Sequence, residues 1–161
     1  MNLRPLISDD RDDVLSLMAE YPLQFPAFVM LRYPARWAAY LQNKNDRTSS
    51  YVVMADDDGE TIVGHAGYVY NDEVGLYEIV GVVVQKAQAR RGIGRAMIHA
   101  VCEKIADCGG DQVILYTLGH AETQSTLAFY RQIGFEEMKD ERDYFIPGFH
   151  RVTFVKTVIR I

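Results

Sequence analysis

The chain is 161 residues long, 48% hydrophobic and 24% charged, with a formal net charge of −5. That length suits one globular domain with a substantial core, and the acidic balance argues against a general nucleic-acid binder. Two cysteines, Cys102 and Cys108, are too few and too close for a disulfide framework or a metal site. No run approaches eighteen apolar residues, and the polar, acidic start MNLRPLISDD lacks the basic-then-apolar order of a secretory signal. A soluble cytoplasmic protein without a membrane partner is expected.

Asn2 to Ile7 reads as an opening strand, and Ser8-Asp9-Asp10 supplies capping chemistry for a helix through about Ala19. The prolines of YPLQFP break that helix, and a second helical stretch is expected over Ala35 to Gln42. Tyr21, Phe25, Phe28, Tyr33, Trp37 and Tyr40 recur every three to five residues, which suits core packing or the lining of a pocket. Tyr51 to Ala55 and Thr61 to Tyr70 read as antiparallel strands joined by a turn with an Asp-Gly signal, Asp56 to Glu60. Val74 to Val84 is nearly all apolar and should lie centrally in its sheet.

A helix follows from Arg91 to about Asp107, halted by Cys108-Gly109-Gly110, and Gln112 to Leu118 forms the next strand through a right-handed parallel crossover. Cys102 is in helical register with Ile98, Val101 and Ile105, so core packing is expected of it. Ala121 to Ile133 is a last helix ended by Gly134, and Phe135 to Met138 and Arg151 to Val158 read as closing antiparallel strands. The sum is a mixed α/β sheet.

The turn between the central strand and its helix runs against the composition. Lys86 to Arg95 holds four basic residues and no acid. Unpaired amides in a helix's first turn point outward together and carry about half a positive charge, and Arg90, Arg91 and Arg95 add cations where the helix disfavours them. Gly92 and Gly94 would clear room for a phosphate and let consecutive amides converge. A compact anionic ligand is therefore expected. A dinucleotide fingerprint would need glycine at Met97 and an acid where Tyr116 and Thr117 stand, and a P-loop would need GxxxxGK with Ser or Thr next; neither is present.

The glycine window Ala89-Arg90-Arg91-Gly92-Ile93-Gly94 resembles the cofactor motif of the GNAT superfamily of acyl-CoA-dependent N-acyltransferases. Ala89 stands where that motif has Gln or Arg, with Gln88 or Arg90 as neighbours able to compensate. Thr123 to Tyr130 followed by Gly134-Phe135 is similar to the superfamily's last helix, with Thr123 and Thr126 in place of its usual Asn and Ala. The resemblance spans nearly the whole chain, residues 1–161, as a single N-acetyltransferase domain. It implies a mixed, mostly antiparallel central sheet with a splayed parallel strand pair and flanking helices.

The same resemblance implies acetyl-CoA as co-substrate, with no metal. Val82, Val83 and Val84 would pair with its pantetheine arm along a bulged strand, Arg90, Arg91, Gly92, Ile93, Gly94 and Arg95 would hold its pyrophosphate, and Thr123 and Thr126 would face it from the last helix. The Val82 amide is the candidate oxyanion donor. Glu78 is the candidate base: it alternates onto one strand face with Leu76, Val80 and Val82, where apolar neighbours raise a carboxyl's pKa, and its position before the glycine turn is similar to that of the catalytic glutamate in the histone acetyltransferase branch. An ion-paired structural role is the alternative. Tyr130 would donate to the departing sulfur, the alternative being a core tyrosine.

His65 and His99 are expected to be structural, His120 is a weaker candidate for substrate contact or proton relay, and His150 is uninformative. The acceptor, a small-molecule or protein amine, should enter between Tyr21–Tyr40 and an aromatic loop, Tyr144 to Phe149. A catalytically silent acyl-CoA sensor, and O-acylation or transfer of longer acyl groups, are the competing functions; edge strands near the carboxyl end make a homodimer plausible.

Overall fold

The computed structural model describes residues 1–158. Seven strands form one sheet in the order β1-β2-β3-β4-β5-β7-β6, where β1 is Asn2–Pro5, β2 Ser49–Ala55, β3 Ile62–Asn71, β4 Leu76–Val84, β5 Gln112–Gly119, β6 Glu136–Ile146 and β7 Phe149–Thr157. Every neighbouring pair is antiparallel except β4 and β5. The α/β class with one parallel pair is thus as the sequence implied. No helix of the described residues is long and apolar enough to cross a membrane.

The helices are α1 (Arg11–Ala19), α2 (Ala27–Met30), α3 (Tyr33–Gln42), α4 (Ile93–Asp107) and α5 (Gln124–Gln132). They divide between the two faces of the sheet. On one, Met97, Ile98, Val101 and Ile105 of α4 and Leu127 and Tyr130 of α5 cover Val63, Ile79, Val113 and Phe154. On the other, Val14 and Met18 of α1 and Tyr33, Trp37 and Tyr40 of α3 cover Tyr51, Val53, Val80 and Val83. The aromatic series therefore packs for the most part, while Phe28 stands 56% exposed. Cys102 is buried against α4's own apolar stripe, and burial raises its thiol's pKa to about 11.

Most boundaries shift by a few residues, and three differences bear on the site. The α4 helix starts at Ile93 rather than Arg91, because Arg90 and Gly92 adopt left-handed φ angles of 65° and 80°. A one-turn helix, α2, occupies Ala27–Met30 after Pro26, whose fixed φ suits a helix start. The largest difference is β6, which runs to Ile146 instead of stopping at Met138, so Tyr144 to Ile146 end a strand and are not a loop. Nearly all of β6 is exposed, and its charges from Glu136 to Asp143 protect an outer edge from pairing with another chain.

Candidate active site

The site lies where β4 and β5 part. Among the described residues only Tyr77 with Val113 and Glu78 with Ile114 are paired, so from Ile79 onward the β5-facing edge of β4 has no described strand beside it. The opposite edge is pinned to β3, with one irregularity: His65 faces Val83 and Gly67 faces Val80, leaving Gly81 and Val82 opposite Ala66. This is a β-bulge, and Gly81 supplies its positive φ of 66°. A glycine inside a β-branched run, Val80-Gly81-Val82-Val83-Val84, was the available signal for it.

Side chains lock the bulge. His65 Nδ1 donates to the Gly81 carbonyl at 2.7 Å, and Trp37 Nε1 donates to His65 Nε2 at 3.0 Å. An indole N–H can only donate, so Nε2 must accept and the ring proton sits on Nδ1. Full burial keeps the imidazole neutral, lowering its pKa to about 4. A Cβ on Gly81 would come within 2.8 Å of the His65 ring and 2.9 Å of the Tyr33 ring, so only glycine fits.

The bulge also changes which way β4's side chains point. Val80 and Val83 enter the core beneath α3, whereas Val82 and Val84 pack on the α4 side. The expectation that Glu78 shares a face with Val82 is corrected: alternation holds from Glu78 to Val80 and is broken by the extra residue. Glu78 therefore faces α3. Asn71 Nδ2 donates to its Oε1 at 3.0 Å, and burial raises its pKa, with Asn71, Arg36, Arg32 and Arg151 opposing that shift. No ion pair joins it to a cation among the described residues, so the structural ion-pair alternative finds no partner.

Beyond Val84 the chain turns at Lys86–Gln88 and enters α4 at Ile93. The first intrahelical bond runs from Ala96 N to the Gly92 carbonyl, and no side chain caps the helix, so the amides of Ile93, Gly94 and Arg95 have no intrahelical acceptor. Arg90 and Arg91 are exposed beside them, and Gln88 Oε1 accepts from Arg91 Nη1 at 2.9 Å. The two glycines have different jobs. Open space surrounds Gly92, whereas a Cβ on Gly94 would lie 3.2 Å from Phe129. Gly94 thus admits α5 against α4, a correction to the idea that both glycines clear room for a phosphate.

The α5 helix carries Tyr130, 6% exposed and ringed by Phe129, Phe135 and Phe154. Burial, and then the Tyr33 hydroxyl across the split, raise its pKa; its own hydroxyl makes no hydrogen bond among the described residues. Thr123 is buried, and its Oγ1 closes the turn after β5 by donating toward the Leu118 carbonyl at 2.9 Å and accepting from His120 N at 2.9 Å. Thr126 Oγ1 accepts from Gln24 Nε2 at 2.7 Å, tying the loop after α1 to α5. Tyr21, in the same loop, donates to the Val84 carbonyl at 2.7 Å.

His120 caps its turn, accepting from Glu122 N, and stacks near Phe149. The charged and polar residues that act on Glu78, and to which sequence reasoning assigned no role, are Arg32 at the cap of α3, Arg36 within it, Asn71 and Arg151 of β7, with Tyr116 of β5 and Tyr33 of the aromatic series also under its charge. The Arg151 guanidinium lies 4.8 Å from the Tyr116 ring and 4.1 Å from the Tyr144 ring, and pairs with Glu141 at 2.8 Å. No group of His, Cys, Asp and Glu among the described residues is arranged to hold a metal.

This architecture is widely shared. A GNAT-family protein from Desulfovibrio desulfuricans superposes with a TM-score of 0.85 at 18% identity, over 98% of both chains. An aminoglycoside 6'-N-acetyltransferase complexed with coenzyme A does so at 0.70 and 16% identity, over 100% of this chain and 99% of the other. For a chimeric spermidine N-acetyltransferase from Vibrio cholerae the TM-score is 0.72 and the identity 14%, over 98% and 97%. No curated protein gives a significant match. Residues 14–135 match the sequence profile of the acetyltransferase (GNAT) family, which covers most of the chain and includes β4, the glycine turn and Tyr130. The chain belongs to the GNAT acetyltransferase family.

Proposed function

We propose that this single domain is an N-acetyltransferase that moves an acetyl group from acetyl-CoA to a primary amine by direct attack within a ternary complex. One observation carries the reading: a strand edge from Ile79 to Val84 with no strand beside it among the described residues is followed, after the turn at Lys86–Gln88, by an uncapped, arginine-flanked helix start. Such an edge suits an extended amide-bearing arm, and the helix start suits a pyrophosphate. On this reading Val82, Val83 and Val84 meet the arm, and Arg90, Arg91, Gly92, Ile93, Gly94 and Arg95 hold the phosphates. Thr123 and Thr126 act by fixing the turn and the loop that frame the arm.

Attack needs a neutral amine, whereas an alkylammonium has a pKa of about 10.4. Glu78, its pKa raised by burial, takes that proton. The Val82 amide donates to the carbonyl oxygen as the C–N bond forms and charge builds there. As the C–S bond breaks, Tyr130 donates to the sulfur. Its raised pKa makes the hydroxyl a hydrogen-bond donor rather than a full proton source, since a thiol has a pKa of only about 8.5.

Calorimetry with acetyl-CoA, followed by thiol release with a panel of primary amines, tests this. Tight binding and acceptor-dependent release are expected. Binding without release from any amine would make the protein an acyl-CoA sensor, and no binding would remove both readings.

A further inference from the structure

Arg32, at the cap of α3, and Arg36, in its first turn, stand one helical turn apart, and the charges of both act on Glu78. Neither helps the helix. Like charges at this spacing repel, and cations at an amino-terminal end oppose the peptide dipoles. Neither forms an ion pair with a carboxylate among the described residues. The Arg36 guanidinium instead lies 5.4 Å from the ring of Tyr33, the residue that covers the Gly81 bulge.

The neighbouring charges do not absorb this pair. Arg151 is already committed, stacked between Tyr116 and Tyr144 and paired with Glu141. Glu78 accepts from Asn71 and is needed for the amine, and Glu73 is exposed, with its amide turned to Asn71. The cleft thus offers a carboxylate for an ammonium and, acting on it, two guanidinium groups without an anion among the described residues. Guanidinium is planar and binds carboxylate through two parallel N–H donors.

We infer that the acceptor is an amine that also carries a carboxylate, an amino acid or a close analogue, with Glu78 receiving the amine and Arg36 and Arg32 receiving the carboxylate. This rests on the transferase reading above. It separates the protein from its relatives that acetylate aminoglycosides and spermidine, because a polycation would meet two unpaired arginines at the mouth.

The experiment is thiol release from acetyl-CoA with the common amino acids, each against its carboxamide, and with spermidine and kanamycin. At least one amino acid is expected to exceed its carboxamide ten-fold or more in kcat/KM. Arg36→Gln or Arg32→Gln should bring that ratio close to one through the KM of the acid, while Arg36→Lys keeps part of the preference. Carboxamides or polycations that react as well as the acids would overturn the inference and leave the transferase intact. So would a ratio unmoved by either Gln variant. Thiol release with none of the amino acids, acetyl-CoA still binding and another primary amine reacting, would overturn this inference alone; release with no primary amine at all would sink the transferase reading and this inference with it.

Discussion

The two walls of the cleft are built differently. The wall proposed to take acetyl-CoA is backbone: an unpaired strand edge, a bulge at Gly81 and a helix start at Ile93. The wall proposed to take the acceptor is side chain: Arg32 at the cap of α3, Tyr33 and Arg36 within it, Tyr116 from β5, and Tyr144 and Arg151 from the β6–β7 hairpin. A backbone wall can be kept through extensive sequence change, provided a few glycines and the core beneath them are retained. A side-chain wall is rewritten by single substitutions. One fold can therefore present one donor site to many acceptors, which accords with structural neighbours below 20% identity that share this sheet.

If the walls meet at Glu78, breaking it should leave the donor wall intact. Glu78→Gln is expected to lower kcat by roughly 10²- to 10⁴-fold, the range for a lost general base, with acetyl-CoA affinity unchanged by calorimetry. In the native protein the base form is lost as pH falls through a pKa raised by burial. The acid limb of the kcat/KM profile should accordingly lie above the ordinary carboxylate range. A variant with native turnover would remove Glu78 from the chemistry.

Gly81→Ala attacks the opposite wall. The new Cβ must displace the His65 or Tyr33 ring, 2.8 and 2.9 Å away, at a φ of 66° that alanine resists. Left-handed strain and overpacking together predict a loss of about 2 to 4 kcal/mol in denaturant unfolding. Acetyl-CoA binding should weaken as well, because the bulge sets which amides face the cleft. Full stability with full affinity would show that the bulge is dispensable.

The clamp beneath the bulge should also be visible in pH dependence. His65 stays unprotonated in the folded chain down to about pH 4 but takes a proton near 6.5 when unfolded. Between those values the unfolded state binds more protons. The contribution is complete above about pH 6.5 and is lost as pH falls toward 4, by up to roughly 3 kcal/mol. Asp10 adds to the loss at lower pH: burial works against its charge, but Arg4 and the Ile7 amide hold its pKa below the ordinary value. Thermal midpoints from pH 7 to 4 should fall less steeply in His65→Gln, whose carboxamide has a donor and an acceptor but does not titrate. Equal slopes would place the proton uptake elsewhere.

The donor wall was legible in the sequence because its signals are local. Gly92 in an arginine-rich turn and a β-branched strand before it suffice to locate the helix start, and FYxxxGF fixes α5. The bulge was only half legible: Gly81 could be seen, but its partners His65 and Trp37 come from separate elements that only folding brings together. That same extra residue moved Val82 off the Glu78 face. The proposed acceptor wall was legible as two segments, residues 21–40 and 144–149, but not in its strand β6 or its individual charges. The β6 strand lacks apolar alternation because both of its faces are exposed, so its pairing with β7 carries no sequence period. Arg32 and Arg36 gain meaning only from the distant Glu78 beside them.

The smallest effect sharpens the comparison most, because Tyr130 belongs to neither wall. Its ring is held by Phe129, Phe135 and Phe154, and Tyr130→Phe preserves all of that packing while deleting one hydroxyl that has no partner among the described residues. Stability should therefore hardly change, since no hydrogen bond is broken within the protein. A drop in kcat of about ten-fold or more, with both KM values held, is expected if the hydroxyl meets the sulfur only as the C–S bond lengthens. The reaction arm and the packing arm separate cleanly here: native kcat would return Tyr130 to the core, whereas a lowered melting point alone would mean that the hydroxyl was satisfied by something other than the leaving group.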